Sequence, residues 1–115
     1  MTHIAVQYTE RIESEANGRE HWRAKAVRVK RHRLMAWTAL RSMVRPVFLG
    51  PVQITLTRIA PRTLDDDNLA SGFKATRDGV ADWLGVDDGD KRLTWRYQQE
   101  RGAPKTYQVR IEVQG

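Results

Sequence analysis

Two acidic runs stand out in an otherwise basic chain: Asp65-Asp66-Asp67-Asn68 and, about twenty residues later, Asp87-Asp88-Gly89-Asp90. Neighbouring carboxylates repel one another, so a run of three needs a metal ion, a group of basic side chains or solvent to offset its charge. Mg²⁺ prefers carboxylate ligands, and Mg²⁺ held by two or three of them can activate water for phosphodiester hydrolysis. The two runs are therefore interpreted as parts of one candidate site.

The composition favours an anionic partner. A chain of 115 residues accommodates one domain, which we place at residues 1–115. The formal net charge is +6, and a net positive protein favours nucleic acid first and an anionic membrane surface second. The chain has no cysteine, which excludes disulfides, thiolate metal sites and cysteine nucleophiles.

The sequence shows no targeting or membrane-spanning pattern. No apolar stretch approaches the ~20 residues of a membrane span, and the opening Met1-Thr2-His3-Ile4 lacks the pattern of a signal peptide. The expectation is a soluble protein of the cytoplasm that has no membrane partner.

Hydrophobic periodicity predicts six elements in the order β-α-β-α-β-β. Alternating apolar residues indicate strands, and a period of 3.6 residues indicates helices. This order predicts an α+β domain with a mixed sheet of four strands and two main helices against one face. The last two strands are expected to be antiparallel, joined by a hairpin-like connection at 101–104. The predicted strands span 4–8, 52–59, 92–99 and 106–113, the predicted helices span 19–44 and 68–84, and strand 52–59 is expected to be half-buried.

The first predicted helix is strongly basic. Between Arg19 and Arg33 there are seven Arg or Lys residues and one Glu, more than solubility requires, which favours DNA binding over a merely solvated face. Arg33 projects near the middle of the apolar face, where it either extends to the edge or reaches an acidic partner. His32 is expected at the surface. The predicted apolar face comprises Trp22, Ala26, Val29, Ala36, Trp37, Leu40, Met43 and Val44, and the predicted DNA contacts are Arg19, Arg23, Lys25, Arg28, Lys30, Arg31 and Arg33.

The first acidic run lies between a predicted strand and a predicted helix, an arrangement that presents carboxylates at one end of a sheet. Asp67 or Asn68 is expected to cap the helix, and Asp65 and Asp67 point the same way if the link is extended. Asp88 comes close to them if the second and third predicted strands are neighbours. The competing interpretation is a solvated turn whose charge complements the helix dipole, with the second acidic run as an ordinary turn.

Lys74 extends the candidate site along the second predicted helix. Helical spacing places Asp67, Lys74 and Asp78 on one face of that helix. A lysine two turns from metal-binding aspartates could hold the scissile phosphate or protonate a leaving group.

The central residues resemble a known family. Asp65-Asp66-Asp67-Asn68-Leu69, then Lys74 and Asp78, then Asp87-Asp88 before a strand are similar to the RusA-type Holliday junction resolvases of phages and prophages. The core pattern of that family is Asp-x-Asp-Asn-Leu, a Lys and an Asp down the following helix, and an Asp-Asp pair after it. The resemblance covers most of the chain, but only this central motif is specific.

The resemblance implies a small homodimeric endonuclease that cuts four-way DNA junctions by paired nicks, one per subunit, with Mg²⁺ or alternatively Mn²⁺ as cofactor. It implies Asp65, Asp67 and Asp88 as metal ligands, Asp87 as a further ligand, and Lys74 as the catalytic lysine. The sequence departs from the family in two respects. Lys74 lies seven residues after Asp67 instead of the usual four, and the N-terminal region lacks the family's Pro-rich, Asn-containing opening.

Two other functions are compatible with the same sequence. One is a nucleic-acid-binding module of the same fold that has lost cutting, and the other is a basic phage protein with a structural or partner-binding role. In the latter the aspartates would only pair with the protein's own arginines. A binding module gains little from a full carboxylate set, because carboxylates repel phosphate, and this favours the endonuclease.

Overall fold

The computed structural model describes residues 3–13, 22–46 and 50–115, in which four strands and three helices follow one another. The predicted order is confirmed except that the second helix is divided in two. The elements are β1 (His3–Thr9), α1 (Trp22–Leu40), β2 (Val52–Ala60), α2 (Asp66–Gly72), α3 (Lys74–Leu84), β3 (Leu93–Arg101) and β4 (Gln108–Gln114).

The four strands form one mixed sheet in the order β1-β4-β2-β3, which confirms the predicted α+β class. β2 pairs with β3 in parallel, and β4 is antiparallel to both β2 and β1. The predicted hairpin at 101–104 is wrong, because β2 lies between β3 and β4. The connection instead crosses the end of β2, where the Gly102 amide donates to the Ala60 carbonyl at 2.8 Å.

The core lies on one face of the sheet. Alternate residues of β2 and β4 point to this face and are almost fully buried, as the period-2 pattern predicts. Helices α2 and α3 cover them, and each large apolar side chain that is fully buried contributes about 1.5–3 kcal/mol. The fully buried large apolar residues are Ile54, Leu56, Val109, Ile111 and Val113 from the strands, Leu40 and Val80 from the helices, Phe73 from the junction of α2 and α3, and Ile12 from the segment after β1.

Strand β2 is buried on both faces, so the expectation of a half-buried strand is wrong. Thr57, on the face away from the helices, has no exposed surface. Arg110 of β4 lies beside Thr57 in the sheet, and its Nη1 is 2.7 Å from Oε1 of Glu100 on β3. This ion pair spans β2 and covers it.

The predicted helix 68–84 is broken at Phe73, which has φ −90° and ψ 1°. A Cβ on Gly72 would lie 2.7 Å from the carbonyl oxygen of Glu13, so α2 ends where it meets the segment after β1. Helix α3 ends as predicted at Gly85, whose φ of 75° favours glycine. The break means that residues of α2 and α3 do not share one continuous helix face.

Helix α1 buries a narrower face than predicted. Ala36 and Leu40 are buried, but Trp22 and Val44 are 67% and 86% exposed. The helix packs chiefly on α3, where a Cβ on Gly79 would overlap the Arg33 carbonyl oxygen, so only a thin stripe of α1 is covered. Trp37 and Met43 of the predicted apolar face are exposed as well.

His32 is fully buried, so the surface position predicted for it is wrong. Its Nε2 is 3.8 Å from Oε1 of Glu10, just after β1, and burial raises the pKa of Glu10. His32 lies four and eight residues before the buried Ala36 and Leu40, which places it on the covered stripe of α1. In the described part of the chain, no helix is both long and apolar enough to cross a membrane.

Candidate functional site

The first acidic run forms the start of α2. Asp65 is the N-cap, with an extended backbone (φ −70°, ψ 165°). Its Oδ1 accepts from the Asn68 amide at 2.9 Å and its Oδ2 accepts from Asn68 Nδ2 at 3.0 Å. The cap is therefore Asp65, and the expectation of Asp67 or Asn68 is wrong. Gln99 of β3 holds the preceding Leu64 through both backbone polar groups, at 2.9 and 2.6 Å.

Asp66 and Asp67 occupy the first turn of α2. Both are exposed, and within the described ranges their side chains make no hydrogen bond or ion pair. The helix dipole and solvent offset their charge. The extended link ends at Asp65, so the alternation that would direct Asp65 and Asp67 the same way does not apply.

In the second acidic run each carboxylate has a partner. Asp87 Oδ1 accepts from the Gly89 amide at 2.9 Å, which lowers the pKa of Asp87. Asp88 Oδ2 is 3.1 Å from Arg77 Nε. Asp90 Oδ2 is 2.9 Å from Arg92 Nη2, and the hydrogen bonds from Arg92 lower the pKa of Asp90 to about 2.

Arg77 joins the second acidic run to the sheet. Besides its ion pair with Asp88, it donates from Nη1 to the Tyr97 hydroxyl at 2.9 Å and from Nη2 to the Asp88 carbonyl at 3.2 Å. Its guanidinium lies 4.9 Å from the centre of the Trp95 ring, and Trp95 Nε1 donates to the same Asp88 carbonyl at 2.9 Å. Arg77 therefore fixes Asp88 between α3 and β3.

The structure does not bring Asp65, Asp67 and Asp88 together. Strands β2 and β3 are neighbours, as the prediction required, but they are parallel, so the run after β2 and the run before β3 lie toward opposite ends of the strand pair. The eleven residues of α3 alone span about 16 Å. In the described ranges no three His, Asp or Glu side chains are grouped so that they could hold a metal ion.

Two of the predicted ligands also have partners within the chain. Both oxygens of Asp65 accept from Asn68, and Asp88 already has the Arg77 guanidinium as its cation. Each carboxylate oxygen keeps a further lone pair, so these contacts alone do not block a metal ion. The separation of the three acids keeps them from surrounding one ion in this arrangement.

Lys74 lies at the start of α3, 72% exposed, with Nζ 3.9 Å from Asp78 Oδ1. It contributes to a groove of about 400 Å³ between α1 and the α2–α3 junction. Ser71 reaches from this groove toward the first acidic run, because its hydroxyl donates to the Asn68 carbonyl at 3.2 Å. The groove is lined by Lys25, Val29, Ser71, Lys74, Ala75 and Asp78, so it joins two of the predicted site lysines.

A second, smaller cavity of about 160 Å³ collects four aspartates around Arg33. Arg33 donates to both oxygens of Asp82, at 2.6 and 2.8 Å, which lowers the pKa of Asp82. Of the two positions that the sequence allowed for Arg33, the structure therefore selects the acidic partner. The cavity is lined by Arg33, Asp78, Ala81, Asp82, Val86, Asp87 and Asp88.

Asp82 and Arg77 are site residues that the sequence analysis missed. The spacing of Asp78 and Asp82, four residues apart, was a usable signal, because such residues share a helix face. No local signal identifies Arg77, whose partners come from β3 and the loop before it. Of the predicted basic set, Arg23, Lys25, Lys30, Arg31 and Arg33 are exposed and Arg28 is half-buried, while Arg19 lies outside the described residues.

Comparison with known proteins finds a relative that is described only as an uncharacterized protein. The chain is 39% identical over 82 residues to an uncharacterized protein of Xylella fastidiosa strain Temecula1. The match covers 63% of this chain and 51% of that relative, so the chain spans about half the length of the protein that it matches. No family model matches the sequence.

Proposed function

We propose that this protein is a structure-specific DNA endonuclease that resolves four-way junctions in recombination and repair, as its resemblance to the RusA-type resolvases implies. The observation that carries the proposal is the exposed acidic turn after the central strand, beside a helix whose charged residues are all basic. The groove lined by Lys25 and Lys74 adjoins this turn through Ser71. DNA and a hydrolytic centre would thus meet at one surface.

Helix α1 is the proposed DNA-binding element. It carries six Lys or Arg residues and no Asp or Glu between Trp22 and Leu40. Cations that neutralise phosphates release counterions, so binding should weaken steeply as salt is raised. Because two symmetric nicks need two sites, the active species is proposed to be a homodimer. As the resemblance implies, the protein is also proposed to be encoded by a phage or prophage and to act in the bacterial cytoplasm.

The acidic residues Asp65, Asp67 and Asp88, with Asp87 beside them, are the proposed hydrolytic residues, and Lys74 is the proposed phosphate-binding lysine. Carboxylates in this number have no attractive contact with DNA phosphates on their own. The proposal therefore includes dependence on Mg²⁺ or Mn²⁺, even though the described arrangement does not gather the three acids around one ion.

A synthetic four-way junction and a linear duplex of the same arm sequence test the proposal. Each is incubated with the protein in Mg²⁺, in Mn²⁺ and in EDTA, and the products are separated on a denaturing gel. We expect paired nicks in the junction with either metal, little cutting of the duplex, and none in EDTA. Absence of metal-dependent nicking from the junction would refute the proposal.

A non-catalytic DNA-binding protein of the same fold is the second candidate. It is favoured by the contacts of Asp65 with Asn68 and of Asp88 with Arg77, which give both acids a structural role. Tight, salt-dependent junction binding without nicking in Mg²⁺ or Mn²⁺ is the result that this candidate predicts.

A further inference from the structure

A hollow of about 410 Å³ lies along α1 next to Asp82 of α3, and the proposed hydrolytic residues do not line it. It is lined by Lys30, Arg33, Leu34 and Trp37 of α1 and by Asp82 of α3. Leu34 is 57% exposed and Trp37 is 39% exposed, so an aliphatic and an aromatic side chain stand open to solvent side by side. Exposed apolar surface that is rimmed by charge is typical of a binding site.

The charged side chains around this hollow indicate which kind of ligand it binds. Lys30, Arg33 and Asp82 contribute to the wall, with Arg33 paired to Asp82, and the Arg41 guanidinium lies 6.0 Å from the centre of the Trp37 ring. The three cations outnumber the one carboxylate. A second copy of the chain would bring these cations against their own counterparts, and like charges at close range repel. A ligand that is flat and apolar on one side and anionic on the other satisfies both the ring and the cations.

We propose that the Trp37 hollow binds an unstacked nucleobase together with its phosphate. This inference rests on the proposed function, because it takes DNA as the substrate. Bases stack on aromatic side chains of DNA-binding proteins, and Lys or Arg beside the ring binds the backbone. An intact duplex keeps its bases stacked, whereas a branch point or a single strand can offer one, so the hollow would recognise branched or unpaired DNA.

The hollow adjoins the acidic cavity, so a ligand in the hollow would lie close to the second acidic run. The Arg33–Asp82 ion pair forms a wall of both, and the cavity on the other side is lined by Asp87 and Asp88. A nucleotide whose base lies against Trp37 thus has its neighbouring backbone close to the second acidic run.

The test compares Trp37→Ala with Trp22→Ala. Trp22 is a matched control because it lies on the same helix, is exposed, and has an arginine 5.1 Å from its ring centre, yet it is outside the hollow. Fluorescence anisotropy in EDTA measures binding to single-stranded DNA, to a four-way junction and to a linear duplex. We expect Trp37→Ala to weaken binding of the single strand and the junction by about tenfold, with duplex binding unchanged, and Trp37→Phe to restore most of the loss. Trp22→Ala should leave all three affinities unchanged.

Salt dependence separates base contacts from phosphate contacts. Trp37→Ala removes no cation, so the slope of log affinity against log salt should stay as in the wild type, whereas Lys30→Ala should lower it by about one. A 2-aminopurine at the junction centre should change its fluorescence on binding to the wild type and less on binding to Leu34→Ala, a readout that does not require Trp37 to be replaced.

Several results would overturn the inference while leaving the proposed function intact. Equal loss of duplex and junction binding in Trp37→Ala would show that the contact is not to an unstacked base. A change of molecular mass in solution caused by Trp37→Ala would identify the hollow as an interface between copies of the chain. Unchanged binding of every DNA by Trp37→Ala would remove the hollow from the DNA surface. These experiments measure binding and not nicking. If the protein binds DNA as expected here but never cuts it, the endonuclease proposal fails and this inference stands.

Discussion

The two acidic runs have nearly the same composition and different physical states. In the first, Asp65 is bound to Asn68 three residues away, and Asp66 and Asp67 project into solvent at a helix start. In the second, Asp88 and Asp90 are each held by an arginine. The sequence left a metal ion, basic side chains and solvent as ways to offset an acidic run. The structure uses the helix dipole and solvent for Asp66 and Asp67 of the first run, and arginines for Asp88 and Asp90 of the second.

This difference indicates which carboxylates can be replaced with little effect on stability and which cannot. A carboxylate with no partner is available to a ligand, and its replacement disturbs little. A carboxylate bound by a half-buried arginine is part of the scaffold, and its loss leaves a charge with reduced solvation. We therefore expect substitutions of the exposed acids in the first run to affect activity with little loss of stability. Loss of Asp88 from the second run, which Arg77 holds, should disturb the 85–92 loop as well as activity.

The largest expected effect is on cutting. Asp67→Asn should reduce nicking of the four-way junction by more than about a hundredfold, because it removes a carboxylate that the proposed hydrolysis requires. Junction binding should be retained or strengthened, because a negative charge that repels phosphate is lost. Nicking rates and binding affinity are measured on the same preparation, with Asp66→Asn as the neighbouring control. Wild-type nicking by Asp67→Asn would show that the first run is not the hydrolytic centre.

Arg77→Gln should have the largest effect on stability. It removes a charged contact to Asp88 and hydrogen bonds to Tyr97 and the loop backbone, and bonds to a charged group contribute about 1.5–3 kcal/mol. We expect a loss of about 2 kcal/mol in the free energy of unfolding by urea denaturation. Tyr97→Phe, which removes one of these bonds and leaves the ion pair, should lose less. If Arg77→Gln is as stable as the wild type, the Arg77–Asp88 contact does not stabilise the fold. The proposed difference between the two acidic runs would then be wrong.

Asp65 is a residue at which the two roles can be separated. Asp65→Ala removes the helix cap and should lower stability by about 1 kcal/mol. Asp65→Asn keeps a good capping side chain but removes the charge, so it should be nearly as stable as the wild type. Measuring thermal unfolding and junction nicking for both variants distinguishes the roles. Loss of nicking in Asp65→Asn would identify an electrostatic role beyond the cap, and full activity would leave Asp65 as a cap alone.

The smallest effect concerns Asp90. Its pKa, lowered to about 2 by Arg92, lies below the unperturbed value of about 3.9. A carboxylate with a lowered folded-state pKa stabilises the fold above the unfolded-state value, and this contribution is lost as pH falls from about 4 through 2. Carbon-detected NMR titration should give the low pKa in the wild type and a higher one in Arg92→Gln, which loses the side-chain hydrogen bonds but keeps the one from the residue 92 amide. Arg33→Gln, which breaks a different Arg–Asp pair, should leave Asp90 unchanged.

The local features of the fold were predictable. The alternation of β2 and β4, the end of α3 at Gly85 and the position of the first acidic run before a helix all follow from residues within a few positions of one another. The cap at Asp65 was missed by two residues because three consecutive aspartates are equally good capping residues. Only the backbone conformation decides among them.

The rest depended on contacts between distant residues. The partner of β3 and the burial of β2 on both faces follow from the strand order, which periodicity does not encode. The Arg33–Asp82 and Arg77–Asp88 pairs join segments that only the packed fold brings together. The exposed face of α1 was misassigned because periodicity marks apolar residues without telling which are covered. Trp37 fits a core pattern, and its exposure depends on the close approach of α1 to α3 at Gly79.

The place of β4 in the sheet has a consequence for the order of assembly. β4 follows every other element in the chain, yet it separates β1 from β2. A growing chain can pair β2 with β3 once α2 and α3 have formed, but β1 has no strand to join until β4 is inserted. Until then β2 has an open edge that can pair with other strands. The native sheet is thus completed late and by contacts between distant residues, which slows folding. Until it is complete, the growing chain is exposed to association with other chains.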